Sequence, residues 1–295
     1  MASVVVNVPY GGLFLPPALL KRLELKPDEL GWENYRLADP CLLNVAARAC
    51  SPGRLEGALG EKEFPARALV SYSFSPLVAD PLGFLASEME GEEPVPGPAV
   101  LPKSSGGKPL RPWAPEEREV IFRKSALPYL AEIRDRCRER LDRDSLVLVL
   151  TLRSYAGKPW NYEKERRYPR PQLNIGRLDE RKTPKGLGEF LGRTFKTFNL
   201  WPELDWPHRS AYAPPELSAS PRLLCCSLSF RRDLYMDEAT GKLSAGAEPL
   251  VRILRTVFGL LEEQLETVIK VRYRRKHPPK PPSMIIKAAP KTKAP

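Results

Sequence analysis

Groups able to do acid-base or metal chemistry are scarce in this sequence. Among 295 residues there are two histidines, His208 and His277, and His277 lies in a Lys/Pro-rich terminal stretch, so the body of the chain holds one imidazole. A zinc ion that activates water needs about three nitrogen, oxygen or sulfur ligands and one open position, and a His-rich site cannot be built from one ring. His208, within Trp206-Pro207-His208-Arg209, reads either as a general base or as a surface or packing residue of a Pro-rich loop. The five cysteines (Cys41, Cys50, Cys137, Cys225, Cys226) are irregularly spaced and form no CxxC pair. They read as reduced, mostly buried thiols of a cytosolic protein. Asp39 and Asp233 could donate oxygen to magnesium, although Asp39 before Pro40 has the pattern of a helix N-cap. The residues themselves therefore call for no metal and no cofactor.

Anion chemistry is better supplied. Arg153 closes the apolar run Ser145–Leu152, and ligands of open α/β sheets gather at the C-terminal ends of such strands. A fixed guanidinium there can grip a carboxylate with two parallel hydrogen bonds, or it can pair with a neighbouring Asp or Glu as a structural ion pair. Tyr10, beside Gly11-Gly12, is placed to hydrogen-bond a ligand. No Walker phosphate loop and no GxSxG elbow is present.

These residues depend on a regular frame. Ser3–Val8 is a β-branched run stopped by Pro9 and two glycines, hence a buried strand and a tight turn. Asp39-Pro40 opens a helix carrying Leu42, Val45, Ala46 and Ala49. Arg67–Phe74 reads as a second strand. Pro115 starts a helix that Pro128 is expected to interrupt, after which Tyr129, Ile133, Cys137 and Leu141 form an apolar stripe. Ser145–Leu152 is a strand buried on both faces. Thr183-Pro184 is a second cap-and-start signal, ahead of Leu187, Phe190, Leu191 and Phe195 on one helical face. Leu223–Phe230 is a further buried strand, and Leu250–Val268 is a long amphipathic helix. Strands alternating with helices predict a three-layer α/β/α domain with a mixed, mostly buried sheet, of the phosphorylase/hydrolase-like kind. Its expected span is 1–271, with a Pro/Gly-rich loop at 91–115 and a basic, disordered tail at 272–295.

Charge follows the same division. Of the net +11, nine positive charges fall from Lys270 onward with no acid among them, which leaves +2 for residues 1–269. The tail could contact a polyanion such as nucleic acid through phosphates, could dock its prolines on an aromatic groove, or could simply aid solubility. No run approaches the ~20 apolar residues of a membrane span, and the N-terminus lacks the pattern of a signal peptide. A cytoplasmic protein without a membrane partner is expected.

Several blocks in order resemble the N-formylglutamate amidohydrolase family. The most specific is Ser229-Phe-Arg-Arg-Asp-Leu-Tyr-Met-Asp-Glu238, and Val8-Pro9-Tyr10-Gly11-Gly12 is similar to the family's opening turn. Between them lie Asp39, the Arg67 strand, Pro128-Tyr129-Leu130, Leu152-Arg153-Ser154 and Pro171–Gly176. Together these span about residues 4–265. The resemblance implies hydrolysis of an amide by water on a divalent metal, usually zinc, with arginines holding substrate carboxylates. Arg67, Arg153, Arg231 and Arg232 are the matching candidates here. At the family's metal and acid-base positions this sequence has Tyr10, Leu130, Arg153 and Ser229 instead. Neither Leu130 nor Ser229 carries charge, Arg153 would repel a cation, and Tyr10 could plug the cavity. The expectation is a non-catalytic relative that keeps a pocket for a small acidic or amide ligand, or a surface for a protein partner. The alternative is an active amidohydrolase on N-formyl or N-acyl amino acids, with zinc in a rearranged site.

Overall fold

A computed structural model of the chain describes residues 2–55, 62–83, 104–110, 114–160 and 167–276. Most of the expected 91–115 loop and all of 277–295 lie outside these residues. In chain order the elements are β1 (Ala2–Val8), α1 (Pro17–Leu20), α2 (Pro27–Leu37), α3 (Pro40–Cys50), β2 (Gly53–Leu55), β3 (Lys62–Phe64), β4 (Ala68–Ser71) and α4 (Pro115–Leu141). There follow β5 (Leu146–Tyr155), β6 (Leu173–Gly176), α5 (Lys185–Thr197), β7 (Pro202–Leu204), β8 (Leu223–Arg231), β9 (Met236–Asp237), β10 (Lys242–Leu243) and α6 (Ala247–Lys276).

Six strands form one mixed sheet in the order β4-β1-β5-β8-β6-β7. The first four are mutually parallel, β6 runs antiparallel to β8, and β7 is parallel to β6. Helices cover both faces. Val4, Val6 and Val8 of β1, Leu148, Leu150 and Leu152 of β5, and Leu224, Cys226, Leu228 and Phe230 of β8 pack with α3, α5 and α6. The alternate residues Val5, Val147, Val149, Leu223 and Cys225 pack with Tyr129, Ile133, Cys137 and Leu141 of α4. Both residue sets of β5 are buried, which is why its sequence is a continuous apolar run rather than an alternation. Truncating Leu150 to Ala would cost about 2–5 kcal/mol through lost transfer energy and the cavity left behind.

The frame differs from expectation at four points. The α4 helix is continuous through Pro128. The missing proline amide costs one bond to the carbonyl four residues back, but Phe122, Ala126, Tyr129, Ile133 and Cys137 are buried along the same helix, so packing outweighs the local break. Thr183 does not cap α5, whose N-cap is Pro184 with no side-chain bond; its hydroxyl donates instead to Cys225 O at 2.5 Å and accepts from Leu178 N at 3.1 Å. Strand β4 is shorter than Arg67–Phe74, and α6 runs to Lys276. Asp39 does cap α3, its Oδ1 accepting from Leu42 N at 2.7 Å.

All five cysteines are free and buried. Burial pushes the Cys41 thiol up to about 11 and those of Cys50, Cys137 and Cys225 up to about 12, so they stay protonated and act as small hydrophobes. No helix among the described residues is long and apolar enough to cross a membrane.

Candidate anion-binding site

Toward the C-terminal ends of its strands, the sheet face that packs on α4 turns from apolar to polar. After Val5 comes Asn7, after Val149 come Thr151 and Arg153, and after Cys225 come Ser227 and Ser229. Asn7 and Thr151 belong to one hydrogen-bonded chain. Tyr129 OH donates to Asn7 Oδ1 at 3.1 Å, and Asn7 Nδ2 donates to Thr151 Oγ1 at 3.0 Å. Both amide atoms of a buried Asn are thereby used, and the Thr151 hydroxyl proton is left to point elsewhere.

Arg153 stands one pleat beyond Thr151. Its Nη2 donates to Tyr10 OH at 3.0 Å and its Nη1 donates to Ser210 Oγ, while the guanidinium carbon lies 5.1 Å from the Tyr10 ring centroid. Tyr10 OH in turn donates to Asp80 Oδ1 at 3.1 Å, and Asp80 Oδ1 also accepts from Leu82 N at 2.9 Å. Burial raises the Asp80 carboxyl above its ordinary range, opposed mainly by the Arg153 charge. Burial likewise drives the Tyr10 phenol upward, so it remains a neutral relay between the two charges.

Thr151, Arg153 and Ser210 border a cavity of about 460 Å³ that Arg177, Arg209 and Tyr212, among others, also line. Arg177 is neutralised by Asp205, its Nε and Nη2 lying 2.9 and 2.6 Å from Oδ2. Arg209 is exposed, with one bond to Leu178 O at 3.3 Å. No carboxylate among the described residues forms an ion pair with Arg153. The cavity thus presents a guanidinium whose orientation is fixed by two hydroxyls and whose remaining N–H bonds are available to an oxyanion.

Of the other expected residues Ser229 stands beside Arg153, and the rest lie elsewhere. Ser229, buried, is the cross-strand partner of Arg153 in the β5–β8 register. Leu130 is half-buried and packs beside Ala79, Phe122 and Ala126. Arg232, on the opposite sheet face, reaches Ser154 Oγ at 3.1 Å and Asp39 Oδ2 at 3.5 Å, and Tyr235 OH donates to the same Asp39 oxygen. Arg231 pairs with Asp233 at 2.8 Å and donates to Arg170 O at 2.7 Å. Arg67 sits at the other end of the sheet, level with Val4 of β1, with Nη2 2.7 Å from Glu262 Oε2. Five residues separate the levels of Val4 and Arg153 along paired strands, roughly 16 Å. His208 meets the Tyr155 ring edge-on at 6.4 Å.

Zinc does not fit this donor set. Among the described residues no three His, Cys, Asp or Glu side chains converge as a metal would require. Asp39 is consumed by its cap, by Arg232 and by Tyr235, while Asp233 is held by Arg231.

Asp80 and Ser210 were not found from sequence. Asp80-Pro81-Leu82-Gly83 has turn composition, and Ser210 lies in a Pro-rich loop; neither signal points to Arg153. Asn7 and Thr151 are polar residues inside strands whose sequences read, as runs, as apolar.

No family model matches the chain, and no curated protein matches its sequence. Solved structures share its fold, among them the following two. The N-formylglutamate amidohydrolase from Ralstonia eutropha JMP134 superposes with a TM-score of 0.66 at 19% identity, covering 92% of this chain and 94% of that one. Gene product Atu2144 from Agrobacterium tumefaciens superposes with a TM-score of 0.54 at 19% identity, covering 92% of each chain. This chain therefore has, over nearly its whole length, the α/β fold of that amidohydrolase.

Proposed function

We propose that this protein binds a small acidic or amide-bearing ligand in the Arg153 cavity and does not hydrolyse it. The reading rests on one observation: the strand-end position carries a guanidinium oriented by Tyr10 and Ser210, with the Asp80 carboxylate reached only through the Tyr10 hydroxyl and not in direct ion pair. A divalent ion at that place would face a fixed positive charge, and repulsion between like charges a few ångströms apart amounts to several kcal/mol at low effective dielectric. An oxyanion at the same place is attracted by a similar amount. Carboxylate recognition then uses the guanidinium where metal-dependent hydrolysis would need a Lewis acid.

The test has two parts. Purified full-length protein is assayed for bound zinc and for release of formate from N-formyl amino acids; stoichiometric zinc together with turnover would overturn the proposal. Calorimetric titration with N-formylglutamate and with glutarate should show saturable binding that Arg153→Ala weakens by about tenfold or more, as loss of a charged hydrogen-bonding group does.

A further inference from the structure

A second cavity, of about 620 Å³, opens beyond the C-terminal ends of the central strands β5 and β8, on the face opposite Arg153. One wall is a single side of α2, where Asp28, Trp32, Tyr35 and Arg36 recur at helical spacing. The facing wall is the β9–β10 hairpin with Glu238, Thr240 and Gly241, and Trp160 closes the end. The volume lies within the range of small-molecule sites. It is separate from the Arg153 cavity because Arg153 and Ser154 are consecutive in β5 and point to opposite faces.

The walls are built features. Arg232 is 6% exposed, is held by Ser154, Asp39 and Ala38 O, and lays its guanidinium 5.6 Å from the Trp160 ring centroid, fixing that indole. Gly241 has φ +69°, and a Cβ there would stand 3.4 Å from the Tyr35 ring, so the hairpin approaches α2 where its backbone needs glycine. Trp32 and Tyr35 nevertheless remain 54% and 45% exposed. Among the described residues the side chains of Asp28, Trp32, Tyr35 and Arg36 make no hydrogen bond or ion pair, so both donors and acceptors face the opening. Of the charged groups in the lining, Arg232 is already paired with Asp39 and Glu238 accepts from Gly157 N at 2.8 Å, which leaves Asp28 and Arg36, among the described residues, as one unpartnered charge of each sign.

Three aromatic rings, unspent donors and acceptors, and no net charge select the ligand class. A cation would meet Arg36 and the guanidinium already stacked on Trp160. An anion would meet Asp28 and Glu238. An uncharged planar ring can stack on the indole and phenol faces and use polar edges of both signs. The geometry points to a second, independent binding site here for a neutral heteroaromatic ring of the nucleoside kind.

The test titrates the full-length protein with adenosine, AMP and choline, by calorimetry and by saturation-transfer NMR. Adenosine should saturate one site, AMP should bind within about threefold of it, and choline should neither bind nor compete. Removal of a stacking ring, as Trp32→Ala or as Tyr35→Ala, should weaken adenosine by about tenfold; both side chains are half-exposed, so the variants are expected to fold, which circular dichroism checks. Arg153→Ala should leave adenosine binding unchanged, whatever it does to anions. Absence of both heat and saturation transfer at about 1 mM adenosine overturns the proposal. So does AMP binding tenfold or more tighter than adenosine, which would mark a phosphate site at Arg36, and so does competition by choline or insensitivity to both ring removals.

Discussion

The amide of Asp39 donates to the carbonyl of Tyr10 at 2.6 Å, and through that bond the residue just before α3 holds the turn that carries Arg153's phenolic partner. The Asp39 side chain caps α3, pairs with Arg232 and accepts from Tyr235. Asp39→Ala strands a buried guanidinium and should cost about 3–5 kcal/mol, whereas Tyr235→Phe, which deletes one hydroxyl, should cost about 1–2 kcal/mol. Urea unfolding midpoints at neutral pH measure both.

Arg153→Lys should fail to rescue anion binding even though charge is kept. A lysine ammonium cannot span Tyr10 and Ser210 and still present two parallel donors. Dissociation constants for glutarate in Arg153→Lys and Arg153→Ala should agree within about threefold, both well above wild type. Recovery of wild-type affinity by the lysine would mean that charge alone suffices.

Asp80 makes stability depend on pH. Its folded-state pKa is raised from the ordinary 3.8, chiefly by burial. Below 3.8 the group is protonated folded and unfolded; as pH climbs from there the unfolded chain releases the proton first, so folding loses free energy until the raised pKa is passed. Asp80→Asn removes this contribution. The stability difference, wild type minus Asp80→Asn, should therefore fall as pH rises above 3.8 and then level off, read from chemical denaturation at a series of pH values. A difference that grows with pH over that interval would contradict the assignment.

Arg67 offers the converse test. Its side chain is 1% exposed and Glu262's is 23% exposed, so Arg67→Ala should destabilise the fold by about 2–4 kcal/mol by leaving a largely desolvated carboxylate. Glutarate affinity should be unaffected, since Arg67 lies at the far end of the strands. Thermal melts and titrations of the same variant separate the two effects.

Much of the frame is legible in the sequence, because burial on two faces writes itself there as predominantly apolar runs at Val4–Val8, Leu146–Leu152 and Leu223–Phe230. The α2 helix was missed, since Pro27–Leu37 buries only Glu33 and shows no apolar stripe. Pro128 misled for the opposite reason, a local rule overruled by packing on the sheet. For the site, Arg153 and Tyr10 were legible from a strand end and a Gly-Gly turn. Asp80 and Ser210 were not, because they lie in loops 73 and 57 residues from Arg153 in sequence and join it, Asp80 by way of Tyr10, only in the tertiary structure. Arg67 and Arg232, grouped with Arg153 by the family resemblance, belong to the opposite end and the opposite face of the sheet.

Consecutive placement of Arg153 and Ser154 has an evolutionary corollary. A single peptide plane serves as the partition between two chambers, so point substitution can retune either chamber alone, while a one-residue insertion or deletion upstream in β5 would exchange their contents, turning the guanidinium toward Arg232 and the hydroxyl toward Tyr10. Descendants of this chain should accordingly vary freely in the side chains at these two positions yet hold the length of the Leu146–Arg153 segment fixed.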